Sequence, residues 1–235
     1  MTADGLLRVV TRTYRPDVAG ITAELHRHGW AEANAGNFSI RLADPPRFTG
    51  RIINLPGHFA GLARQVILMK RAGARMRDIA RRPESGVCLL KIGPDGTKGQ
   101  ILPPDAIPTS ELPSHLASHE LLIRQRPEQN ALLHTHPTEL IALTDAVRSP
   151  ARLLELLAGA HAESQTVMRR TGIVGRFNPG TTRLAQATAR ALLQHDVVIW
   201  PGHGVIAAGH DLRSALDLIE ILNKLATIAL LRLRI

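Results

Sequence analysis

The chain has 235 residues, enough for one or two domains, and 44% of them are hydrophobic, so it can bury a sizeable core and is not disordered. Lys plus Arg number 29 against 20 Asp plus Glu, a formal net charge of +9, yet both signs are spread along the chain rather than gathered into a tail for polyanions. Four Phe, two Trp and one Tyr are too few for a base-stacking sheet, and the single Cys88 excludes an internal disulfide or a multi-cysteine metal site and fits a reducing compartment.

The first residues, MTADGLLRVVTRTYRPD, carry Asp4 and several arginines where a secretory signal needs an unbroken apolar stretch. No apolar run approaches the roughly 18 residues of a membrane span. A cytoplasmic protein with no membrane partner is expected. Val18 to His28 reads as a helix closed by Gly29, and Asn37 to Leu42 alternates as a half-buried strand does. The Pro- and Gly-rich passage from ADPPRFTG through NLPGHFAG predicts turns; Val66 to Met69 and Gly86 to Ile92 read as strands, and PDGTKG as a hairpin turn. Ser110, followed by Glu111 and Pro113, predicts the N-cap of a helix running to about Gln125. NALLHTH reads as a strand. Helices are expected over Thr138 to Val147, Ala151 to Leu157, Thr182 to Leu193 and from Leu212 to the end, with DVVIW and GVIAAG as strands around a PGHG turn. No repeat interrupts this interleaving, so one α/β or α+β domain over residues 1–235 is the economical reading.

Among eleven histidines, His134 and His136 in LLHTHP are the informative pair, because alternate residues of a strand project from one face and can grip one ion. Two hydrogen-bonded polar residues at a sheet end are the plainer alternative. His203, between glycines at a turn, shifts the balance, since small neighbours let its imidazole approach another strand. Three imidazoles with a fourth position open describe a catalytic zinc site better than a closed structural one. Glu111, His115 and His119, spaced by four, share a helix face and form a rival set, although the two histidines read better as a partly buried helix side. Glu111 either answers the helix dipole or carries protons beside a metal. Asn34 to Asn37 form either an ordinary turn or a nest for a phosphate or carboxylate. Lys70, Arg71, Arg75, Arg77, Arg81 and Arg82 cluster around Gly73 as a solvated face or an anion-binding loop; a nucleic-acid partner is not expected, because no such fold signature accompanies the charge.

Five segments in order, GWAEANAGNFSIRL, PTSELPSHL, LLHTHPTELIALT, NPGTTRLAQAT and DVVIWPGHGVIAAGHDL, resemble the class II aldolase/adducin family over about Gly29 to Ile219. The resemblance implies a central, mainly antiparallel β-sheet flanked by α-helices on both sides, with Zn2+ held by His134, His136 and His203. It further implies Glu111 as catalytic acid/base, and Asn34, Gly36, Asn37, Thr109 and Ser110 around the phosphate and keto end of a sugar phosphate. Glu163 corresponds to a second acid reaching a neighbouring subunit's site in a fourfold-symmetric homotetramer. The implied activity cleaves a ketose 1-phosphate to dihydroxyacetone phosphate and an aldehyde; a sugar-phosphate dehydratase or decarboxylase, and an adducin-like binding module, are the alternatives. One departure stands out: the family's phosphate loop reads Thr-Gly-Ser-Gly where this chain has Lys70, Arg71, Ala72 and Gly73. Charge-assisted hydrogen bonds from Arg71 or a neighbouring base, beside a backbone opened by Gly73, are expected to replace the lost hydroxyl.

Overall fold

The computed structural model describes residues 2–233. Helix α1 (Ala3–Thr13) is capped by the Thr2 hydroxyl, and α2 (Arg15–His28) starts on Pro16 and stops at Gly29, whose φ of 71° lets the last turn close. Strands β1 (Asn37–Arg41), β2 (Arg51–Asn54) and β3 (Val66–Lys70) follow, then α3 (Met76–Arg81), β4 (Val87–Ile92) and β5 (Lys98–Leu102). The central part comprises α4 (Leu112–Gln125), β6 (Ala131–Thr135), α5 (Thr138–Ala146), α6 (Pro150–Ala158) and α7 (Ser164–Met168). The chain ends with β7 (Thr171–Ile173), α8 (Thr182–Leu192), β8 (Val197–Trp200), β9 (Gly204–Gly209) and the long α9 (Leu212–Leu233).

The strands form one nine-stranded sheet in the order β2-β5-β4-β3-β1-β6-β9-β8-β7, antiparallel throughout except for the β7–β8 pair. Both faces are covered, which is why β3 and β8 read as unbroken apolar runs. Val66 and Leu68 pack on one side with Leu7, Leu25 and Leu222 of α1, α2 and α9. Ile67 and Met69 pack on the other with Leu116 of α4, and further along that side Leu132, Val198 and Ile206 meet Leu122, Leu184 and Leu192 of α4 and α8. Each such fully buried side chain contributes about 1.5–3 kcal/mol over its exposed state. The fold class expected from the resemblance is therefore the one observed. Among the described residues, no helix is long and apolar enough to cross a membrane.

Several elements differ from the sequence reading. Residues 51–54, read as part of a turn-rich passage, form the edge strand β2 against β5. Residues 76–81, read only as basic, form α3, because Met76 and Ile79 bury their side chains on one face while the arginines face outward. The helix expected to be capped by Ser110 begins one residue later: Glu111 is the cap position, and the Thr109 hydroxyl accepts from the Glu111 N–H at 3.3 Å.

Candidate active site

The site lies where β1, β6 and β9 adjoin. His134 stands on β6, opposite Asn37 of β1 and Ile206 of β9. His136 follows the strand's end, and that end is pinned by the Trp30 carbonyl, which accepts from the His136 N–H at 2.9 Å and from the Thr135 hydroxyl at 2.5 Å. The same connection after α2 places Glu32 beside His136. His203 comes from the β8–β9 turn, which needs φ of 74° at Gly202 and 156° at Gly204. A Cβ at Gly204 would overlap the Thr135 carbonyl oxygen, so the glycine is what lets this turn close on β6.

One ring nitrogen from each of His134, His136 and His203 lies within 4.8 Å of the other two. His134 Nδ1–H donates to the Val205 carbonyl at 2.9 Å and His136 Nδ1–H to Glu32 at 2.9 Å, an arrangement in which the Nε2 of each ring, when neutral, is the nitrogen left to ligate. These two Nε2 atoms face each other at 3.2 Å. Tetrahedral nitrogen ligands at about 2.0–2.1 Å from zinc stand about 3.3 Å apart, so the spacing suits such an ion. Burial, then repulsion from neighbouring imidazoles, holds His134 well below the usual histidine range; the same causes bring His203 down to about 4. Both are neutral and ligand-competent at neutral pH. Glu32 titrates below its ordinary range: partial burial, the largest single influence, opposes this, and the His136 hydrogen bond, a backbone hydrogen bond and the neighbouring imidazoles together outweigh it. A ligating imidazole oriented by a carboxylate is the usual support of a metal centre.

Glu111, 3% exposed, points into the same cavity of about 280 Å³. Its Oε1 accepts from the Gly180 N–H at 2.8 Å and its Oε2 from the Ser114 hydroxyl at 3.2 Å. Burial raises its pKa, and those two hydrogen bonds only partly oppose the shift. Gly180 has φ of 70°, which turns its N–H toward the carboxylate.

Asn34, Gly36, Asn37, Gly73, Thr109 and Ser110 all line this cavity with the three histidines. Arg71 does not. Its guanidinium pairs with Asp105 at 2.8 Å, because consecutive residues of an extended chain point to opposite sides and Lys70 takes the inward one. The anion-binding role expected of Arg71 therefore has no side chain in the cavity to perform it. Lys70 is 2% exposed, donates from Nζ to the Asn34 carbonyl at 2.8 Å, and is brought down to about 8 by burial. The sequence signal for it was a lysine closing a strand that is otherwise apolar on both faces. Glu163 also lies outside this cavity and lines a separate groove between α7 and α9 with Ile221 and Lys224. His115 and His119 do not join the metal-ligand set; their rings bond to Asn37 and Ser39. Glu32 and Gly180 are the site residues the sequence reading did not single out, and Lys70 is the neighbouring base of Arg71 whose side chain reaches the cavity.

The chain belongs to the class II aldolase and adducin N-terminal domain family, whose model matches residues 16–230. It is an enzyme of this family, homologous to rhamnulose-1-phosphate aldolases. It is 35% identical over 226 residues to the rhamnulose-1-phosphate aldolase of Bacteroides thetaiotaomicron, covering 90% of this chain and 82% of that protein. The rhamnulose-1-phosphate aldolase of Salmonella typhimurium is 32% identical over 221 residues, covering 88% of this chain and 80% of that protein. Among solved structures, the sugar-phosphate aldolase of Thermotoga maritima superposes with a TM-score of 0.83 at 32% identity, covering 92% and 93% of the two chains.

Proposed function

We propose that the protein is a zinc-dependent aldolase cleaving a ketose 1-phosphate of the rhamnulose 1-phosphate kind to dihydroxyacetone phosphate and an aldehyde. The observation that carries this reading is the convergence of three imidazoles, one buried carboxyl and one buried amine on a single small cavity. His134, His136 and His203 hold the ion, and Glu32 keeps His136 in the ligating tautomer. Zinc, when bound, supplies a Lewis acid that disperses the negative charge developing on the substrate. As the bond between the third and fourth carbons breaks, its electron pair stays with the phosphorylated three-carbon half, while the hydroxyl on the fourth carbon gives its proton to the second acid, Glu163 of a neighbouring chain, and becomes the aldehyde's carbonyl. Glu111 delivers the proton that quenches this charge, and its raised pKa lets it hold that proton nearer neutral pH. Lys70, in the place first assigned to Arg71, takes the phosphate by a charge-assisted hydrogen bond, with Asn34, Gly36, Asn37, Gly73, Thr109 and Ser110 around it.

The reading extends to a cytoplasmic homotetramer in which Glu163 serves a neighbour's cavity. The free Cys88 fits the cytoplasmic part of this extension, and the placement of Glu163 in a groove separate from the cavity of its own chain's histidines supports the shared site. A coupled assay for dihydroxyacetone phosphate over a panel of ketose 1-phosphates, with and without chelator, tests the activity. Release from one or more of these substrates that chelation abolishes and zinc restores is expected; no release from any of them overturns the reading.

A further inference from the structure

Behind the cavity wall, a chain of polar side chains crosses from the sheet into α4. His115 Nε2 lies 2.5 Å from Asn37 Oδ1, His115 Nδ1 2.7 Å from Ser39 Oγ, and Ser39 Oγ 2.8 Å from His119 Nε2. Asn37 and Ser39 are alternate residues of β1, and His115 and His119 are one turn apart on α4, so the two elements meet through these four groups alone at this point. Ser39, His115 and His119 are completely buried, whereas Asn37 lines the cavity. Burial holds His115 down to about 3 and His119 well below its usual range, so both rings are neutral with one N–H each.

With neutral rings, only two arrangements use Ser39's own proton within the chain. In the first, His119 Nε2–H donates to Ser39, the Ser39 hydroxyl donates to His115 Nδ1, and His115 Nε2–H donates to Asn37 Oδ1. Every N–H and O–H of the chain then has an acceptor, and only the lone pair of His119 Nδ1, which is buried with no partner among the described residues, goes unused. In the reverse arrangement the Asn37 carboxamide is turned round, and His119 Nδ1 carries a buried N–H with no acceptor. An orphaned buried donor is the rarer and costlier of the two defects. The first direction is therefore the one the fold selects.

We propose that His119, Ser39 and His115 are positioning residues that lock the Asn37 carboxamide with its oxygen toward α4 and its NH2 toward the cavity, where it donates to a substrate oxygen. An unsupported asparagine would present oxygen and nitrogen about equally, and the oxygen would repel an anion. This proposal rests on the aldolase reading for the identity of the ligand, but its direction is set by proton counting alone.

The test begins with the zinc-loaded, full-length protein labelled with nitrogen-15. Long-range proton–nitrogen correlation is expected to show His115 and His119 both as Nε2–H tautomers; an Nδ1–H tautomer in either overturns the proposal. Ser39→Ala frees His115 to change tautomer and is expected to raise KM for the cleaved ketose 1-phosphate by roughly tenfold, with a smaller change in kcat. A merely structural role would instead reduce the active fraction, lowering kcat at constant KM. Asn37→Asp still accepts from His115 but turns a carboxylate oxygen to the cavity, and a KM rise of roughly a hundredfold is expected. Wild-type KM in Asn37→Asp overturns the proposal. His115→Gln, whose amide nitrogen can still donate to Asn37, should recover much of what His115→Ala loses. A wild-type protein inactive on every ketose 1-phosphate would overturn the aldolase reading, whereas reversed tautomers in an active enzyme overturn only the positioning chain.

Discussion

At the scale of single residues, Glu111 and Lys70 are both buried and both charge-bearing, yet burial pushes them in opposite directions. For Glu111 burial raises the pKa, the direction that suits the proton donor proposed above. Glu111→Gln preserves the size and the polar partners at Gly180 and Ser114 while removing the proton. Metal analysis should find zinc retained, and turnover should fall by about 10²–10⁴, the usual loss for a general acid/base. Loss of the metal would show instead that the carboxylate is a ligand. For Lys70 burial favours the neutral amine: the folded protein releases this proton near pH 8 and the unfolded chain only near 10.5. Between those values the unfolded state binds more protons, so the cost of burying the ammonium fades as pH rises through this window. Anion binding has the opposite sign, because it uses the ammonium. KM for a phosphorylated substrate should therefore climb above about pH 8, where the phosphate is already dianionic. Lys70→Met should give a high KM with no such rise, and Lys70→Arg should stay low across the window. A wild-type KM that stays flat to pH 9.5 would remove Lys70 from the anion site.

At the scale of elements, the site depends on turns whose glycines have different work. Gly204 brings the β8–β9 turn against β6, at a φ disfavoured for side chains and with no room for a Cβ. Gly204→Ala is expected to cost about 1–3 kcal/mol from backbone strain alone, to lower Tm by about 2–10 °C, and to weaken zinc binding by displacing His203. Gly73 also has a positive φ, but a Cβ there meets nothing within 4 Å. Gly73→Ala should cost about 1–2 kcal/mol and leave the zinc in place, which calorimetry with metal analysis on both variants would show. These turns and the elements around them were largely legible. Capping residues and an early proline located α4, apolar periodicity located α8 and α9, and the His-x-His on an apolar run located β6. What was hidden depended on partners distant in sequence. RIIN has two apolar residues and is a strand only because β5 pairs with it. The buried pair Met76 and Ile79 of α3 sits among arginines that mask its spacing. Lys70 and Arg71 are adjacent cations that charge alone does not separate; which of them enters the cavity depends on the side of the chain each one faces.

At the scale of the whole molecule, the metal centre occupies one place and Glu163 another, in a groove formed with α9. The resemblance assigns Glu163 to a neighbour's site, and apolar Ile221 (47% exposed) and Leu231 (57% exposed) leave α9 with surface that a second copy could cover. Sharing of this kind makes a prediction that no single-chain role can imitate. In a cyclic assembly each complete site would take Glu111 and the histidines from one protomer and Glu163 from the next. Glu111→Gln homo-oligomers then lack the proton carrier in every site, and Glu163→Ala homo-oligomers lack the second acid in every site. Co-expression of the two variants creates sites whose Glu111 comes from a Glu163→Ala chain and whose Glu163 comes from a Glu111→Gln chain. Those sites are intact, so activity should return toward a fraction of wild type set by the statistics of mixing. If Glu163 acts within its own chain, or not at all, the mixture should show only the weighted average of the two variants. Co-purification of the two variants through different affinity tags would establish that mixed oligomers had formed, so that an average rate counts against the shared site rather than against assembly.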